Sequence, residues 1–108
     1  MTLIVQSKTM QVTSALEAAA QHFAKKFTRR GLRISQVTVF LEQVAKKKNE
    51  TTAATVTFAV DLPGKNVIVR EKARDVYLGL SQAADGVMRQ LSKMKERRLS
   101  RRWRFAAA

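Results

Sequence analysis

The sequence predicts an α+β fold with the element order β-α-β-β-β-α: a four-stranded mixed sheet with two helices packed on one face. Four short segments are rich in β-branched residues, and the clearest of them alternate apolar and polar positions as half-buried strands do. Two longer segments repeat apolar residues every three or four positions, which is typical of amphipathic helices. A single sheet carrying both helices on one face buries all of these apolar stripes.

The first two elements are a strand over residues 2–7 and a helix over residues 14–30. Thr13 or Ser14 can cap the start of the helix, and Gly31 is predicted to end it. The apolar stripe of this helix consists of Leu16, Ala19, Ala20, Phe23 and Phe27. A helix between two strands makes those strands parallel neighbours, so we expect the first two strands to pair in parallel.

The sequence pattern in the middle of the chain predicts three strands that pair as an antiparallel meander. Residues 34–45 form a long strand, residues 46–50 a charged loop, and residues 54–60 a third strand that alternates cleanly. Residues 62–65, Leu-Pro-Gly-Lys, have the composition of a tight turn. Residues 66–70 then return as a fourth strand, so the last two strands form a hairpin.

The second helix is predicted from residue 75 to at least residue 95, with Asp75 as its N-cap. Its apolar stripe consists of Val76, Leu80, Ala83, Ala84, Val87, Leu91 and Met94. Arg98 would fall in the middle of this stripe, so contact with the core ends near Met94. Beyond it either the helix or an extended tail leaves the body. We therefore divide the chain into one domain, residues 1–95, and a basic C-terminal extension, residues 96–108.

The charge of the chain favours a nucleic acid as its partner. Its 108 residues include 21 Lys and Arg against 8 Asp and Glu, a formal net charge of +13. Residues 89–104 alone hold eight basic residues and one acid. A folded polycation of this kind most often binds nucleic acid. An anionic membrane surface is the less favoured partner, and simple solvation of a basic surface is the remaining alternative.

Composition argues against several other functions. The chain has no cysteine and one histidine, His22, so neither disulfides nor a Cys/His zinc cluster is expected. No phosphate-binding glycine loop, nucleophile motif or carboxylate pair is present, and we predict no enzyme activity, cofactor or small-molecule substrate. No apolar run approaches the length of a membrane span, and the first residues lack the pattern of a signal peptide. We predict a soluble, cytoplasmic protein.

Basic residues on the outer sides of both helices are the candidate RNA contacts. In the second helix, Arg89, Lys93 and Arg97 follow an i, i+4, i+8 spacing and share one face. Gly79 and Gly86 lie near that face, where we expect them to leave the backbone open to a ligand. Trp103 could stack on a base or belong to a disordered end. The candidates are His22, Lys25, Lys26, Arg29, Arg89, Lys93, Arg97, Arg98 and Arg101.

Five local motifs resemble the ribosome hibernation promoting factor family, which includes ribosome-associated inhibitor A and members labelled sigma factor modulation proteins. The element order itself resembles a double-stranded RNA-binding domain with an added first strand. The resemblance covers roughly residues 1–100. The motifs are residues 1–8 (MTLIVQSK), 12–16 (VTSAL), 22–25 (HFAK), 75–77 (DVY) and 89–95 (RQLSKMK).

The resemblance implies a role on the ribosome. Family members bind the small ribosomal subunit in the channel used by mRNA and tRNA, and silence ribosomes in stationary phase or stress. By motif, Lys25, Arg89, Lys93 and Lys95 inherit contacts to rRNA. Long members carry a C-terminal dimerisation domain, and this chain looks like a short form. His22 and Ser81 depart from the family pattern, and the basic tail leaves open whether ribosome pairing is promoted or blocked.

The resulting prediction is a translation inhibitor that binds small-subunit rRNA and sterically excludes mRNA and tRNA from idle ribosomes. Two alternatives remain. A general double-stranded RNA-binding module would bind free duplex RNA as well as ribosomes. A protein-interaction regulator of transcription would expose an apolar patch and bind its partner in a salt-resistant manner.

Overall fold

A computed structural model describes residues 1–29, 32–43 and 54–106, with side chains described through residue 97. The predicted order of elements is confirmed. The elements are β1 (Thr2–Ser7), α1 (Ser14–Thr28), β2 (Gln36–Gln43), β3 (Ala54–Leu62), β4 (Lys65–Ala73) and α2 (Val76–Ala106). Gly31, the predicted end of the first helix, and the predicted loop at residues 46–50 lie outside the described residues.

The four strands form one sheet in the order β1-β2-β3-β4. Strands β1 and β2 pair in parallel, whereas β2–β3 and β3–β4 pair antiparallel, so the mixed sheet is confirmed. The turn between β3 and β4 is also confirmed, because Leu62 pairs with Lys65 and Gly64 has φ of +75°. A positive φ at the second central residue is what glycine tolerates and most other residues do not.

The core lies between one face of the sheet and the two helices. The alternation predicted for β3 places Val56, Phe58 and Val60 fully inside this layer. α2 contacts β2, β3 and β4, while α1 contacts β1 and α2, so both helices cover the same face. The Phe27 ring of α1 meets the Phe58 ring edge-on, with the ring centroids 5.4 Å apart and an interplanar angle of 83°. This pair links α1 directly to the centre of the sheet.

Neither α1 nor α2 covers the opposite side of the sheet, and we call that side the outer sheet face. Phe40 of β2 and Ile68 of β4 lie on it with 41% and 68% of their surface exposed. Its central residues are Gln6, Phe40, Thr57, Ala59, Ile68 and Arg70. The sheet therefore separates a helix-covered face from an open one.

Both helices begin at side-chain caps. Of the two candidates for α1, Thr13 is the cap, since its Oγ1 accepts a hydrogen bond from the Leu16 amide at 3.2 Å. Asp75 caps α2 as predicted, with its Oδ1 accepting from the Leu78 amide at 2.9 Å. Each bond satisfies an amide that has no partner within the helix. The caps fix where the two helices leave the sheet.

Several element boundaries differ from the prediction. α1 ends at Thr28 rather than at residue 30, and β3 continues to Leu62 rather than ending at residue 60. β2 begins at Gln36 rather than at residue 34; just before it, the Ser35 amide and hydroxyl both donate to the Asp61 carbonyl. β4 continues to Ala73, which is buried opposite Ala54. α2 is longer than the predicted minimum, since the backbone stays helical through Ala106.

The second helix continues well beyond the core. Among the described side chains of α2, Leu91 is the last that is fully buried, and Met94 packs partly against the core. At 1.5 Å per residue, the 12 residues after Met94, through Ala106, extend about 18 Å beyond the core as a rod rather than as an extended tail. The division into a domain and an extension at residue 95 stays a prediction, because the helix runs through it without interruption.

Candidate nucleic-acid interface

Helix α1 has a buried apolar face and an exposed basic face on opposite sides. Leu16, Ala20, Ala24 and Phe27 are buried against the core. The exposed basic side chains lie on the other side of the helix, because positions three, four and seven residues apart share a face. We call them the α1 basic face: His22, Lys25, Lys26 and Arg29. All four predicted candidates, three in α1 and Arg29 at its C-cap, are thus solvent-accessible.

The Phe23 ring contacts two members of the α1 basic face, Lys26 and His22. It packs partly against the core, and the Lys26 Nζ lies 5.5 Å from its ring centroid. The His22 ring contacts the same phenyl ring edge-on, at 5.4 Å between centroids. A cation over an aromatic ring is worth about 0.5–1 kcal/mol at an exposed site. Phe23 therefore orients Lys26 and His22 without removing them from solvent.

The second basic surface runs along α2, and we call Arg89, Lys93 and Arg97 the α2 basic row. All three side chains are exposed. Each i+4 step advances about 40° around the helix, so the row winds about 80° from its first to its last member. The Arg89 Nε donates to the Asp85 carbonyl at 3.4 Å, a long hydrogen bond that leaves most of the guanidinium donors free.

Lys95 is exposed but does not belong to this row. It lies two residues after Lys93, which places it about 160° away around the helix. A single flat phosphate backbone cannot contact both side chains from one direction, whereas RNA on two sides of α2 can. Arg98 and Arg101 lie on the helical backbone, and their side chains are outside the described ones.

The prediction that Gly79 and Gly86 leave α2 open to a ligand is wrong. A Cβ placed on Gly79 would lie 2.8 Å from Cγ2 of Val56, and one on Gly86 would lie 2.7 Å from Cγ1 of Val69. Both glycines therefore face the sheet. Their role is close packing of α2 onto β3 and β4, not access to the helix backbone.

Gly86→Ala is expected to lower the free energy of unfolding by about 1–2 kcal/mol, because the steric cost in a packed site exceeds the gain in helix propensity. Val69→Ala removes the methyl group that the new Cβ would strike. The double variant should therefore be more stable than the sum of the two single effects predicts, measured by urea unfolding. If the effects of the two substitutions simply add, and if Gly86→Ala loses RNA binding at unchanged stability, then Gly86 leaves the helix backbone open to a ligand after all.

The charged side chains of the described region all reach solvent, because it contains no buried polar or charged residue. Among the described residues, no group of three or more His, Cys, Asp or Glu side chains is placed to hold a metal ion. No helix in the described ranges is long and apolar enough to span a membrane. The chemistry that the site offers is therefore cationic: ammonium and guanidinium groups on rigid helices.

Together these features define a small, strongly basic α+β domain with the element order of a double-stranded RNA-binding domain preceded by one strand. Residues 3–99 match the family described as sigma 54 modulation protein / S30EA ribosomal protein, and the chain belongs to this family. The resemblance to the hibernation factor family is thereby confirmed.

Solved structures share the fold. A ribosomal subunit interface protein from Coxiella burnetii superposes with a TM-score of 0.68 at 21% identity, covering 89% of this chain and 99% of that one. The N-terminal domain of Protein Y from Thermus thermophilus gives a TM-score of 0.69 at 24% identity, with 86% and 94% of the two chains covered. No curated protein sequence matches this chain.

Proposed function

We propose that this protein is a cytoplasmic ribosome hibernation factor. It binds small-subunit rRNA with the α1 basic face and the α2 basic row, occupies the channel used by mRNA and tRNA, and blocks translation by idle ribosomes. It acts by steric exclusion and catalyses no reaction. Lys95, Arg98 and Arg101 contribute further phosphate contacts along α2.

The observation that carries this proposal is that exposed cations lie on two helices that pack against each other on the same side of the sheet. The family to which the chain belongs is described as a ribosomal protein family. α1 and α2 contact each other and share the same side of the sheet. The backbone positions that carry their basic side chains are therefore fixed relative to one another before binding. Pre-positioned cations lose less conformational entropy on meeting a phosphate backbone than cations on a loose arm do. The name of the Coxiella burnetii relative, a ribosomal subunit interface protein, agrees with this role.

Exclusion requires bulk as well as charge. The chain extends 61 Å along its longest axis, while its other two dimensions are 29 and 19 Å. A helix is about 10–12 Å wide with its side chains, close to the space that a nucleic-acid strand needs. The projecting end of α2 therefore can fill a channel that a single RNA strand or a tRNA end would otherwise occupy.

Sucrose-gradient sedimentation of the protein with separated ribosomal subunits tests the proposal. We expect it to travel with the small subunit, to be displaced by mRNA and tRNA, and to dissociate steeply as salt rises because each phosphate contact releases counterions. An excess of free duplex RNA should not compete. Equal capture by free duplex RNA would favour the general RNA-binding module, and salt-resistant binding to a protein would favour a transcription regulator.

A further inference from the structure

The outer sheet face carries a row of four side chains that the proposed function does not use. Gln6 of β1 pairs with Phe40 of β2, Phe40 with Thr57 of β3, and Thr57 with Arg70 of β4. Paired residues point to the same side of a sheet, so the four side chains form one line across all four strands. The line runs perpendicular to the strands on the side opposite to α1 and α2.

Phe40 is the centre of this row and its ring is accessible. The side chain is 41% exposed, although phenylalanine is usually buried. Its neighbours on β3 are short: Thr57 directly opposite and Ala59 one diagonal step away. Short neighbours leave a flat ring uncovered, and Ile68 beyond Ala59 adds a second exposed apolar contact.

The surroundings of the ring are polar and charged. A groove of about 660 Å³ lies beside it, within the size range of small-ligand sites. Strand spacing puts Arg70 about 10 Å from Phe40 between Cα atoms, a distance that a long arginine side chain can close. Besides Val5, Val12 and Leu41, the groove is lined by the polar and aromatic residues Gln6, Ser7, Lys8, Phe40, Glu42, Thr57 and Arg70.

We propose that the outer sheet face binds single-stranded RNA, with one unstacked base lying on the Phe40 ring and its phosphate on Arg70. Gln6 and Thr57 can hydrogen-bond to the edge of the base, and the Glu42 carboxylate can accept from an exocyclic amine. Lys8 extends the phosphate contact at the other end of the groove. Stacking on an exposed aromatic ring flanked by cations is a common way for proteins to hold single-stranded nucleic acid.

RNA fits this surface better than a protein partner or a second copy does. The chain carries a net charge of +13, which attracts a polyanion and repels another copy of itself. The groove holds two cations, Lys8 and Arg70, against the single carboxylate of Glu42. Phe40 and Ile68 are the exposed large apolar residues of this face in the described chain, far less than a stable protein interface buries.

The inference goes beyond the proposed function because the sheet separates the two surfaces. Helix-borne cations would contact rRNA on one side, while the outer sheet face would hold a single strand on the other. One molecule could then engage two RNA segments at once. Either surface can be disabled without touching the other, so the two proposals fail separately.

Fluorescence anisotropy with a labelled oligoadenylate of about eight nucleotides tests the proposal. Phe40→Ala should weaken binding about tenfold, the expected effect of removing one stacking ring, and Phe40→Leu should weaken it nearly as much because leucine keeps bulk but not the ring. Tyr77→Ala, which removes an exposed aromatic ring from α2 rather than from the outer sheet face, is the matched control, with an expected change below about threefold. The Phe40 effect should persist when Arg89 and Lys93 are both alanine.

Amide chemical shifts provide the second readout. Addition of the oligoadenylate should shift resonances of β1 to β4 around Phe40, and Arg70→Ala should lower the salt dependence of binding by about one counterion. Wild-type affinity in both Phe40 variants would overturn the proposal. Shifts confined to α1 and α2 would do the same, as would a Phe40-dependent dimer in sedimentation equilibrium, which would make this face a contact between copies.

Discussion

Arg89→Ala combined with Lys93→Ala is expected to lower the affinity for the small ribosomal subunit by about 30- to 140-fold. Each cation that contacts a phosphate contributes about 1–1.5 kcal/mol after desolvation, and tenfold in affinity corresponds to 1.4 kcal/mol. Both side chains are exposed and neither contributes to the core. The melting temperature should therefore stay within a few degrees of the parent protein, while the salt dependence of binding decreases by about two counterions.

A variant with the same loss of charge elsewhere separates specific contact from general attraction. Lys65 is the first residue of β4 and Arg74 directly follows its last residue, and both are exposed. Lys65→Ala combined with Arg74→Ala removes two positive charges without touching either basic helix surface. We expect less than about threefold loss of affinity. Equal losses in the two double variants would show that net charge, and not the α2 basic row, determines binding.

Phe58→Ala is expected to lower the free energy of unfolding by about 3–5 kcal/mol, as large-to-small changes of aromatic residues in cores do. Phe58 is fully buried and holds the edge-on contact with Phe27. Its loss leaves a cavity between β3 and α1 and weakens the attachment of the α1 basic face. For a domain of about 100 residues, this corresponds to a drop of more than about 10 °C in melting temperature.

Phe40→Ala is the matched control, since it is the same substitution on the neighbouring strand. Phe40 pairs with Thr57, one residue before Phe58, and so points to the opposite side of the sheet. We expect a stability change below about 1 kcal/mol, in thermal or urea unfolding. A loss as large as that of Phe58→Ala would mean that the outer sheet face is covered in solution, which contradicts its description as an open surface.

Much of the fold can be predicted from periodicity. Strict alternation over β3 predicts which side chains are buried, and the structure places Val56, Phe58 and Val60 inside. The Pro63-Gly64 dipeptide predicts the hairpin turn, and Gly64 has the required positive φ. These predictions succeed because each rests on a local rule that the tertiary structure does not oppose. The basic residues of both helices could be placed on exposed faces for the same reason.

Other features depend on how elements meet and could not be predicted from one element. Gly79 and Gly86 lie at the edge of the apolar stripe of α2, so the sequence alone does not tell whether they face the sheet or solvent. The packed structure shows that Val56 and Val69 of the sheet occupy the space beside them. The length of α2 was also undetermined, because the core ends near Met94 while the residues after it contain no glycine or proline to stop a helix. The outer sheet face is a similar case: alternation around Val39 and Leu41 points Phe40 away from the core, but whether a helix covers it is decided by the packing of the whole sheet.

Directed hydroxyl-radical probing of small subunits is the most direct test that the helices face rRNA in the mRNA and tRNA channel. The chain has no cysteine, so Glu96→Cys and Lys65→Cys each provide one attachment point for an iron chelate. Position 96 is exposed beside the α2 basic row, and position 65 lies at the hairpin turn. We predict strong rRNA cleavage at channel nucleotides from position 96, lost when mRNA and tRNA are bound first. Absent cleavage from position 96, or cleavage outside the channel, would contradict this placement of the helices.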